Sequence, residues 1–315
     1  MNIQAVGAYK KKSRRALVIR IKQCRVLYLM MLPGIVLLLL LHYWPMIGLL
    51  LSFKEFSFSG NFLSGKWVGL KNFQEAFTDP FFLNALRNTF SINFWKLLFG
   101  FPLPIIFALM LNELPSKAYK RGAQAVSFLP YFVSWVVLTS IFTTVMSLEG
   151  PVNKIIELFG GTASVLLANS KTIVQLIVTT AIWQVLGWNS IIYTAALAGV
   201  DPQLYEAAVL DGAGKLRQIW NVSLPSITSV IVIMLILDMG TIINSGFEQI
   251  FNMMNPVIYD KIEIIDTYVY KKGIQQMNYP YAAAVGLFKS VVSLTFVLVA
   301  NYAAGKIAGK ENTLL

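Results

Sequence analysis

The feature that most constrains this chain is a series of apolar stretches long enough to cross a lipid bilayer. Each of the six is about 20 to 27 residues long, or roughly 30 to 40 Å of helix, which matches a bilayer. A continuous apolar stretch of that length spans a bilayer as a helix, so the stretches predict transmembrane helices. Their bounds are 27–53, 88–111, 123–146, 172–198, 227–246 and 281–304. We expect an all-α integral membrane protein with six transmembrane helices.

The placement of basic residues predicts which side each end faces. Eight Lys and Arg residues, and no acidic residue, precede the first apolar stretch. Of the 26 basic residues, 15 fall in the two tails and the loops on their side, and nine fall in the opposite loops. Because basic residues beside a span stay in the cytoplasm, both ends are expected there. A tail that binds nucleic acid or lipid headgroups is the alternative; we predict no nucleic-acid partner, since the block abuts a span.

The spans divide the chain into a basic tail (1–26), a six-span membrane unit (27–305) and a second tail (306–315). The outer loop 54–87 is long, aromatic and rich in turn residues, including Asp79-Pro80, and it is large enough to cap the outer face. The cytoplasmic loop 201–226 is polar and helix-prone. It is longer than a connection between two spans requires, which indicates a function of its own.

Loop 201–226 reads DPQLYEAAVLDGAGKLRQIWNVSLPS. Its notable residues are Glu206, Ala207, Ala208, Asp211, Gly212, Leu224 and Pro225. The glutamate and the alanines are predicted to lie on a short helix whose small side chains let another surface approach closely. The Asp-Gly pair supplies a turn, because glycine adopts positive φ without strain. A second helix follows, which the Leu-Pro pair is expected to end before span five.

These residues, in this order and spacing, resemble the EAA loop of binding-protein-dependent ABC importer permeases. Glu-Ala-Ala alone is a weak signal, but here Asp-Gly-Ala and Leu-Pro follow it between the fourth and fifth of six spans. The resemblance implies the type I ABC importer permease fold and a separate ATPase into whose cleft this loop, the coupling segment, inserts. Glu206 would pair with a basic residue there, the alanines would pack closely and Gly212 would make the turn. A helix lying on lipid headgroups is the alternative, which the small, acidic surface disfavours.

Five further stretches resemble sugar permeases of the maltose type, particularly the subgroup for complex oligosaccharides. They are WVGLKNF (67–73), LRNTF (86–90), GFEQIFNMMNP (246–256), IDTYVYKKG (265–273) and YAAAVGLFKS (281–290). The resemblance extends over most of residues 27–304. It implies that a carbohydrate, an oligosaccharide or polysaccharide fragment, is imported by alternating access coupled to the ATPase.

The resemblance also implies partners and location. They are two ATP-binding subunits, a second related permease subunit in a heterodimer and an extracytoplasmic solute-binding protein, in the bacterial cytoplasmic membrane. An ABC permease for phosphate, amino acids or peptides is an alternative, because the coupling segment is common to both. A secondary transporter driven by an ion gradient is another. It would show broken helices in matching positions of two halves, which the sequence does not indicate.

The chain lacks the residues that common enzyme classes require. Residues 60–66, GNFLSGK, match the first seven positions of a phosphate-binding loop, but Trp67 stands where Ser or Thr would hold magnesium. One His and one Cys provide neither a zinc site nor a Ser-His-Asp arrangement. We expect no catalytic residue, no metal and no cofactor in this chain, with ATP and magnesium held by the partner ATPase.

Polar and aromatic residues in spans four and five predict a substrate pathway. Sugars present hydroxyls that need polar partners and C–H faces that lie on aromatic rings. The candidates are Gln184, Trp188, Asn189 and Tyr193 in span four, and Asp238, Thr241, Ser245 and Glu248 in span five and its outer end. The span-five set has spacings of three and four residues, which places it on one face of a continuous helix. Ordinary packing between helices is the alternative for both sets.

Charged residues also occur inside the predicted spans. A charge there costs roughly 2.5 to 3.5 kcal/mol, so it is expected to be paired or hydrated. Asp238, Lys96 and Lys289 lie at similar depths in three different spans. We predict that Asp238 pairs with one of the two lysines beside the pathway.

Overall fold

The computed structural model describes residues 23–55 and 65–307 of the chain. The basic tail up to residue 22, residues 56–64 of the outer loop and residues 308–315 lie outside the described part. Most of the predicted amino-terminal tail, most of the GNFLSGK match and most of the second tail therefore receive no structural account.

Helices dominate the described residues, whose only β pairing is an isolated antiparallel bridge between Lys54 and Trp67. Within that part, the helical runs long and apolar enough to cross a membrane alone are Arg25–Phe53, Pro80–Asn112, Ile173–Ala198 and Tyr279–Lys306. Two bent pairs pass the same test: Lys117–Phe132 with Trp135–Val145, and Lys215–Ser226 with Thr228–Gly240. Counting each pair as one span gives six, numbered here in chain order, and confirms the all-α, six-span prediction.

Span one is buried only near its far end. It consists of an α-helix, a π-turn and a 3₁₀-helix, with bounds Arg25–Leu38, Leu39–Tyr43 and Trp44–Phe53. Leu51 and Ser52 are the only buried residues of these three pieces, and the 3₁₀-helix packs against span six. The remaining surface of span one is apolar and open to lipid or to another chain.

Span two begins earlier than predicted. Its helices are Pro80–Gly100 and Pro102–Asn112, so it starts eight residues before the expected bound of 88. Asp79 caps the first turn, since its carboxylate accepts a hydrogen bond from the backbone N–H of Phe81 at 2.9 Å. Proline in the first helical position completes this start. The Asp-Pro pair that we assigned to an outer-loop turn is therefore a helix start.

Span three is broken, although the sequence predicted one helix over 123–146. The helix Lys117–Phe128 continues as the 3₁₀ turn Leu129–Phe132, and the chain then bends by 101° into the helix Trp135–Val145. The hydroxyl of Ser134 accepts from the backbone N–H at the start of the second helix. Span three therefore consists of two separate helices, called its first and second arms, and the second arm has its own N-cap residue, Ser134.

A glycine fastens the first arm of span three against span four. A Cβ placed on Gly187 would lie 2.3 Å from the carbonyl oxygen of Ser127, closer than real contacts allow. Only glycine permits this approach of two backbones. Span four, Ile173–Ala198, and span six, Tyr279–Ile307, lie within a few residues of their predicted bounds.

Span five is broken like span three, and its second arm, Thr228–Gly240, ends six residues before the expected bound of 246. This arm meets the helical run Lys215–Ser226 at an angle of 63°. Ile227, which lies between the two helices, is buried in a cluster with Ile105 of span two and with residues of span four. The joint is therefore packed rather than loose.

Short helices form a cap at one end of the bundle. We define the cap as residues 65–79 and 241–278; its helices are Lys71–Thr78, Phe247–Met253, Tyr259–Ile262 and Ile265–Tyr270, followed by a π-turn at Lys271–Gln275. Its fully buried isoleucines are Ile243, Ile250, Ile258, Ile262, Ile264 and Ile265. The connection between spans three and four joins the cap: its helices are Pro151–Leu158 and Leu166–Ala168, and Asn255 donates to the carbonyl of Leu167 at 3.1 Å.

The cap and the coupling segment lie at opposite ends of the molecule. Ile177, near the start of span four, belongs to the same buried cluster as Ile250 and Ile262 of the cap. The other end of span four leads directly into segment 201–226. The 26 residues of span four, about 39 Å of helix, therefore separate the two regions.

Candidate functional site

The coupling segment begins with a capped helix, Pro202–Leu210. The carboxylate of Asp201 accepts from the backbone N–H of Gln203 at 3.0 Å, and Pro202 takes the first helical position. This start follows from the local sequence alone, because aspartate and proline are favoured at these two positions.

The end of this helix is closed at the glycine of the motif. Gly212 has a φ of +74°, and its N–H donates to the carbonyl of Val209 at 3.0 Å. The N–H of Ala213 donates to the carbonyl of Ala208 at 2.9 Å. These two bonds form a Schellman motif, which requires a left-handed residue at this position. The structure thus places a turn at the predicted Asp211-Gly212 pair.

The coupling helix presents its side chains outward. No residue of Pro202–Leu210 is buried; Glu206 and Ala207 are exposed, Ala208 is half-buried, and Leu210 is 89% exposed. A nine-residue helix is too short to be stable by itself. Apolar residues that protrude on such a helix indicate a contact with another protein.

Two side-chain contacts hold the segment in place. The hydroxyl groups of Tyr205 and Ser223 lie 2.9 Å apart and share a hydrogen bond. Lys215 Nζ lies 2.9 Å from Glu113 Oε2, an ion pair that joins the segment to the end of span two. A groove of about 870 Å³ runs between the helix and the Glu113 turn. The helix is thus tethered at its base while its outer surface stays free.

The Leu-Pro pair at 224–225 does not end the second helix, contrary to our prediction. Lys215–Gln218 passes through a π-turn, Ile219–Ser223, into a further helical turn, Leu224–Ser226. A proline in the first turn after this change of winding removes no hydrogen bond that the α-helix needs. The break comes at Ile227, where the chain turns into span five.

A second candidate site is a cavity of about 410 Å³ between spans two, four and five, the second arm of span three and the cap. Its size falls in the range of roughly 300 to 1,000 Å³ that is typical of small-ligand sites. Its polar lining residues are Asn93, Lys96, Gln184, Asn189, Asp238, Thr241, Asn244 and Gln249. Phe101 and Trp135 supply aromatic rings. Hydrogen-bonding groups on several sides, with these rings, are suited to a sugar.

Four of the eight predicted pathway residues line this cavity: Gln184, Asn189, Asp238 and Thr241. Ser245 lies fully buried beside it, and its hydroxyl accepts from the amide of Asn93 at 2.7 Å. Substrate contact by these residues stays a prediction.

The other three predicted residues lie away from the cavity. Trp188 stacks on Tyr131, with ring centroids 4.4 Å apart and planes within 2°. Tyr193 is buried in the apolar cluster around Ile227. Glu248 is exposed outside the cavity, and its neighbour Gln249 faces inward instead.

The single helical face predicted for the span-five set does not exist. The helix ends at Gly240, a turn follows, and a new helix starts after Gly246, which has a φ of +80°. Glu248 is therefore not on the same helix as Asp238, and the 3.6-residue period does not carry across the break.

Lys96 is held in place at the wall of the cavity. Its ammonium donates to the backbone carbonyl of Ser245 at 2.8 Å and to Gln249 Oε1 at 3.1 Å. The amide of Gln249 is fixed in turn, since it donates to the carbonyl of Ile177 at 2.8 Å and to Thr180 Oγ1 at 3.0 Å. This network links spans two and four to the start of a cap helix.

The predicted pairing of Asp238 with a lysine is wrong in this structure. Lys289 pairs with Asp266 of the cap. Lys96 bonds to the neutral groups described above, and Asp238 makes no ion pair within 4.0 Å in the described part of the chain. Lys96 and Asp238 nevertheless face the same cavity.

Among the lining residues that sequence reasoning missed are three polar residues and the tryptophan: Asn93, Asn244, Gln249 and Trp135. Asn93 lies three residues before Lys96, on the same face of span two, and that spacing was the available signal. The other three depend on the bend of span three and on the loop after Gly240, which no helical periodicity describes.

A separate polar network fastens the cap to the spans. Tyr268 OH donates to Asp79 Oδ2 at 2.5 Å and lies 2.8 Å from the hydroxyl of Tyr281 at the start of span six. Burial raises the pKa of Asp79, but hydrogen bonds from Tyr268 and the Phe81 N–H, with the charge of Lys272, bring it below its usual value. Burial and the bond to Asp79 raise the pKa of Tyr268, which therefore keeps its proton. The network joins spans two and six.

Among the described residues, no group of three or more His, Cys, Asp or Glu side chains lies close enough together to hold a metal ion.

Residues 100–309 match the sequence model of a family described as "Binding-protein-dependent transport system inner membrane component". The chain is 42% identical over 304 residues to the "Polygalacturonan/rhamnogalacturonan transport system permease protein YteP" of Bacillus subtilis (strain 168). That match covers 96% of this chain and 94% of the relative.

The fold is similar to a solved permease structure. A chain of "a bacterial ABC transporter involved in the import of the acidic polysaccharide alginate" superposes with a TM-score of 0.86 at 35% identity, over 93% of this chain and 99% of that one. The "bacterial alginate ABC transporter in complex with alginate pentasaccharide-bound periplasmic protein" gives 0.85 at 35% identity, over 92% and 97%.

Proposed function

The chain belongs to the binding-protein-dependent transport system inner membrane components, and from this membership we propose that it is the permease subunit of an ATP-binding-cassette importer for carbohydrate. It moves substrate by alternating access of the cavity to the two sides of the membrane. A separate ATPase supplies the driving force through the coupling segment. The chain itself is a transport subunit rather than an enzyme.

One observation carries this proposal: the coupling helix is tethered at its base and bare on its outer surface. Glu206 and Ala207 are exposed, with Glu206 lining the groove beside the Glu113 turn, and the left-handed Gly212 lets the chain reverse directly beyond them. A surface of small residues with one carboxylate fits a cleft that offers a basic group. We assign that cleft to the ATPase, where Glu206 meets a cation and the alanines pack closely.

The substrate class rests on the relatives and on the cavity. The permease at 42% identity is named for polygalacturonan and rhamnogalacturonan, and the similar structure for alginate, all of them polysaccharides. The cavity offers hydroxyl-binding groups on several sides and the ring of Trp135. We assign Gln184, Asn189, Asp238 and Thr241 as substrate contacts, and an oligosaccharide as the substrate.

The orientation and partners follow from the same reasoning. We place both termini and the coupling segment in the cytoplasm of a bacterium, and the cap on the outer face, where a solute-binding protein docks. That partner is supported by the periplasmic protein that accompanies the similar alginate importer. We assign two ATP-binding subunits, which hold ATP and magnesium, and a second related permease in a heterodimer.

Two other functions are weaker. A permease of this family for a non-sugar solute would use the same coupling segment, but the polysaccharides named for its relatives favour carbohydrate. An ion-coupled transporter would break its helices at matching positions of two halves. The sequence indicated no such breaks, and the structure has bends in spans three and five. These are the third span of one half and the second of the other, so they do not match.

Replacing Gly212 with aspartate tests the proposal. Nothing lies within 4 Å of a Cβ at this position, so the new side chain meets the partner rather than its own chain. We expect normal amounts of protein in the membrane and at least about a tenfold loss of binding-protein-stimulated ATP hydrolysis, because a charge must enter a close-packed interface. Reconstituted transporter in liposomes provides the measurement.

Gly160→Asp is the matched control for backbone strain. Gly160 has a φ of +80°, also has no neighbour within 4 Å, and lies in the connection between spans three and four at the cap end. We expect it to retain coupling. Full coupling in Gly212→Asp would refute the proposed function, and equal losses in both variants would assign the effect to strain.

A further inference from the structure

We infer that Lys96 binds a carboxylate of the substrate, so that the cavity is built for acidic oligosaccharides, chains that contain uronic acid units. The inference rests on the proposed function and names the substrate class of the same cavity. It makes Lys96 the residue that distinguishes acidic from neutral sugars.

The position of Lys96 is fixed before any ligand arrives. Two of its three N–H groups are used by the Ser245 carbonyl at 2.8 Å and by Gln249 Oε1 at 3.1 Å. Gln249 is anchored through its own amide to Ile177 and Thr180. The ammonium therefore has a set orientation and one donor left, at the wall of a 410 Å³ cavity.

The charge of Lys96 is not neutralised within the described part of the chain. Its two acceptors are neutral, and no carboxylate there lies within 4.0 Å of it. Lys289, also within a span, shows the usual alternative, since Asp266 pairs with it. A charged residue inside a span is costly and normally has a partner. For Lys96 the cavity leaves the substrate as the source of that anion.

Asp238 explains why the ligand is an acidic sugar rather than a simple anion. It lines the same cavity from span five, beyond ion-pair distance from Lys96. A carboxylate accepts hydrogen bonds from sugar hydroxyls. A uronic acid unit presents one carboxylate and several hydroxyls, so it satisfies both residues at once. A neutral sugar satisfies Asp238 only, and a small inorganic anion satisfies Lys96 only.

The rival explanation is internal: Lys96 would pair with Asp238 in another state of the transport cycle. Under that explanation the removal of Lys96 harms the transporter equally for every sugar. Under ours the harm depends on the charge of the sugar. The two explanations therefore differ in one measurable quantity, the coupling between Lys96 and the substrate carboxylate.

The test uses two sugars that differ only in that group. An α-1,4-linked galacturonate trisaccharide and its carboxyl-reduced galactose counterpart are titrated onto the purified assembly of both permeases and the ATPase subunits. Omitting the solute-binding protein keeps its own preference out of the measurement. The variants are Lys96→Met, which removes the charge, and Lys289→Met, which removes an intramembrane cation outside the cavity.

We expect the wild-type assembly to bind the galacturonate form at least about tenfold more tightly than the reduced form. Lys96→Met abolishes this preference, because it weakens binding of the galacturonate form far more than binding of the reduced form, whereas Lys289→Met retains the preference even if its yield falls. Retained binding of the reduced sugar also shows that Lys96→Met has folded.

Three results would overturn the inference: equal binding of the two sugars by wild type, equal weakening of both by Lys96→Met, or binding of neither sugar. None of them bears on the Gly212 experiment, which tests coupling to the ATPase whatever the charge of the sugar. Equal import of the two trisaccharides with coupling intact would leave the proposed function standing and remove this inference alone.

Discussion

The cap and the coupling segment terminate the same bundle, yet the cap has a buried core of its own and the first helix of the coupling segment has no buried residue. In the cap, Ile264 and Ile265 are fully buried and Tyr268 is 1% exposed, with its hydroxyl bonded on both sides. In the coupling segment, the helix Pro202–Leu210 has no buried residue. One end is stabilised by its own packing, and we propose that the other end is stabilised by a partner.

This difference has a physical consequence for how each end carries out its part of the transport cycle. The cap already has its packing and hydrogen bonds, so a protein that docks there meets a surface whose shape is set. The coupling helix has no buried residue and is held only at its base, so we propose that it moves with the partner that it contacts. A rigid cap and a coupling helix whose position is set by its partner are suited to transmitting a movement of that partner to the membrane spans.

The largest expected effect is in the cap, from Tyr268→Ala. Removal of a buried aromatic ring costs about 3 to 5 kcal/mol of unfolding free energy, by analogy with Phe and Trp truncations. Tyr268→Phe, which keeps the ring and loses the bonds to Asp79 and Tyr281, is the control and should cost less. Thermal unfolding of detergent-solubilised protein measures both. A midpoint for Tyr268→Ala equal to wild type would contradict the rigid-cap view.

A smaller effect of a different kind is expected in the coupling segment, from Leu210→Ser. Its side chain is 89% exposed, so unfolding free energy should change by less than about 0.5 kcal/mol. Affinity for the ATPase subunit should fall by roughly 1 to 2 kcal/mol, about tenfold, because the leucine loses its contact there. Leu158→Ser, at an 82% exposed leucine at the opposite end, is the matched control. Equal ATPase affinity in both variants would refute the assigned docking surface.

The smallest effect is expected in the acid stability of the cap. The folded-state pKa of Asp79 is lowered, because hydrogen bonds and the charge of Lys272 outweigh burial. The stabilisation is therefore present above the unfolded pKa of about 3.8 and is lost as pH falls through the folded value. Asp79→Asn should flatten this acid loss. Unfolding midpoints from pH 6 down to pH 3 provide the comparison, and an identical acid loss in both proteins would contradict the role of Asp79.

Much of the fold could be predicted from the sequence, because span length is set by bilayer thickness and is visible in composition. Whether each span is one continuous helix could not be predicted from composition. The stretch 123–146 is apolar enough for one helix, yet it turns by 101° at Val133-Ser134. Average hydrophobicity predicts the length of a membrane span, but it does not predict whether the span is one continuous helix. Gly240 and Gly246, which frame the loop after span five, were a signal that we did not use.

The two candidate sites were unequally predictable for a related reason. The coupling segment is local, because its helix N-cap, its turn and its exposed helix all lie within 26 consecutive positions, 201–226. Residue type and spacing are therefore enough to predict it. The cavity is assembled from four spans and a loop, and its members depend on packing. Lys289 illustrates the limit, since its partner Asp266 lies on a cap helix that no span-depth argument includes.

The helices Lys215–Ser226 and Thr228–Gly240 meet at 63°, and the buried Ile227 lies at the joint between them. If the two helices rotate together about Ile227, a movement of the coupling segment is transmitted to the cavity. The helix Thr228–Gly240 is 13 residues, about 20 Å, long and carries Asp238 near its tip. A rotation of about 10° at Ile227 would therefore swing that tip by about 3 Å. A displacement of this size would widen or narrow the cavity that Asp238 lines, without breaking a backbone hydrogen bond in either helix.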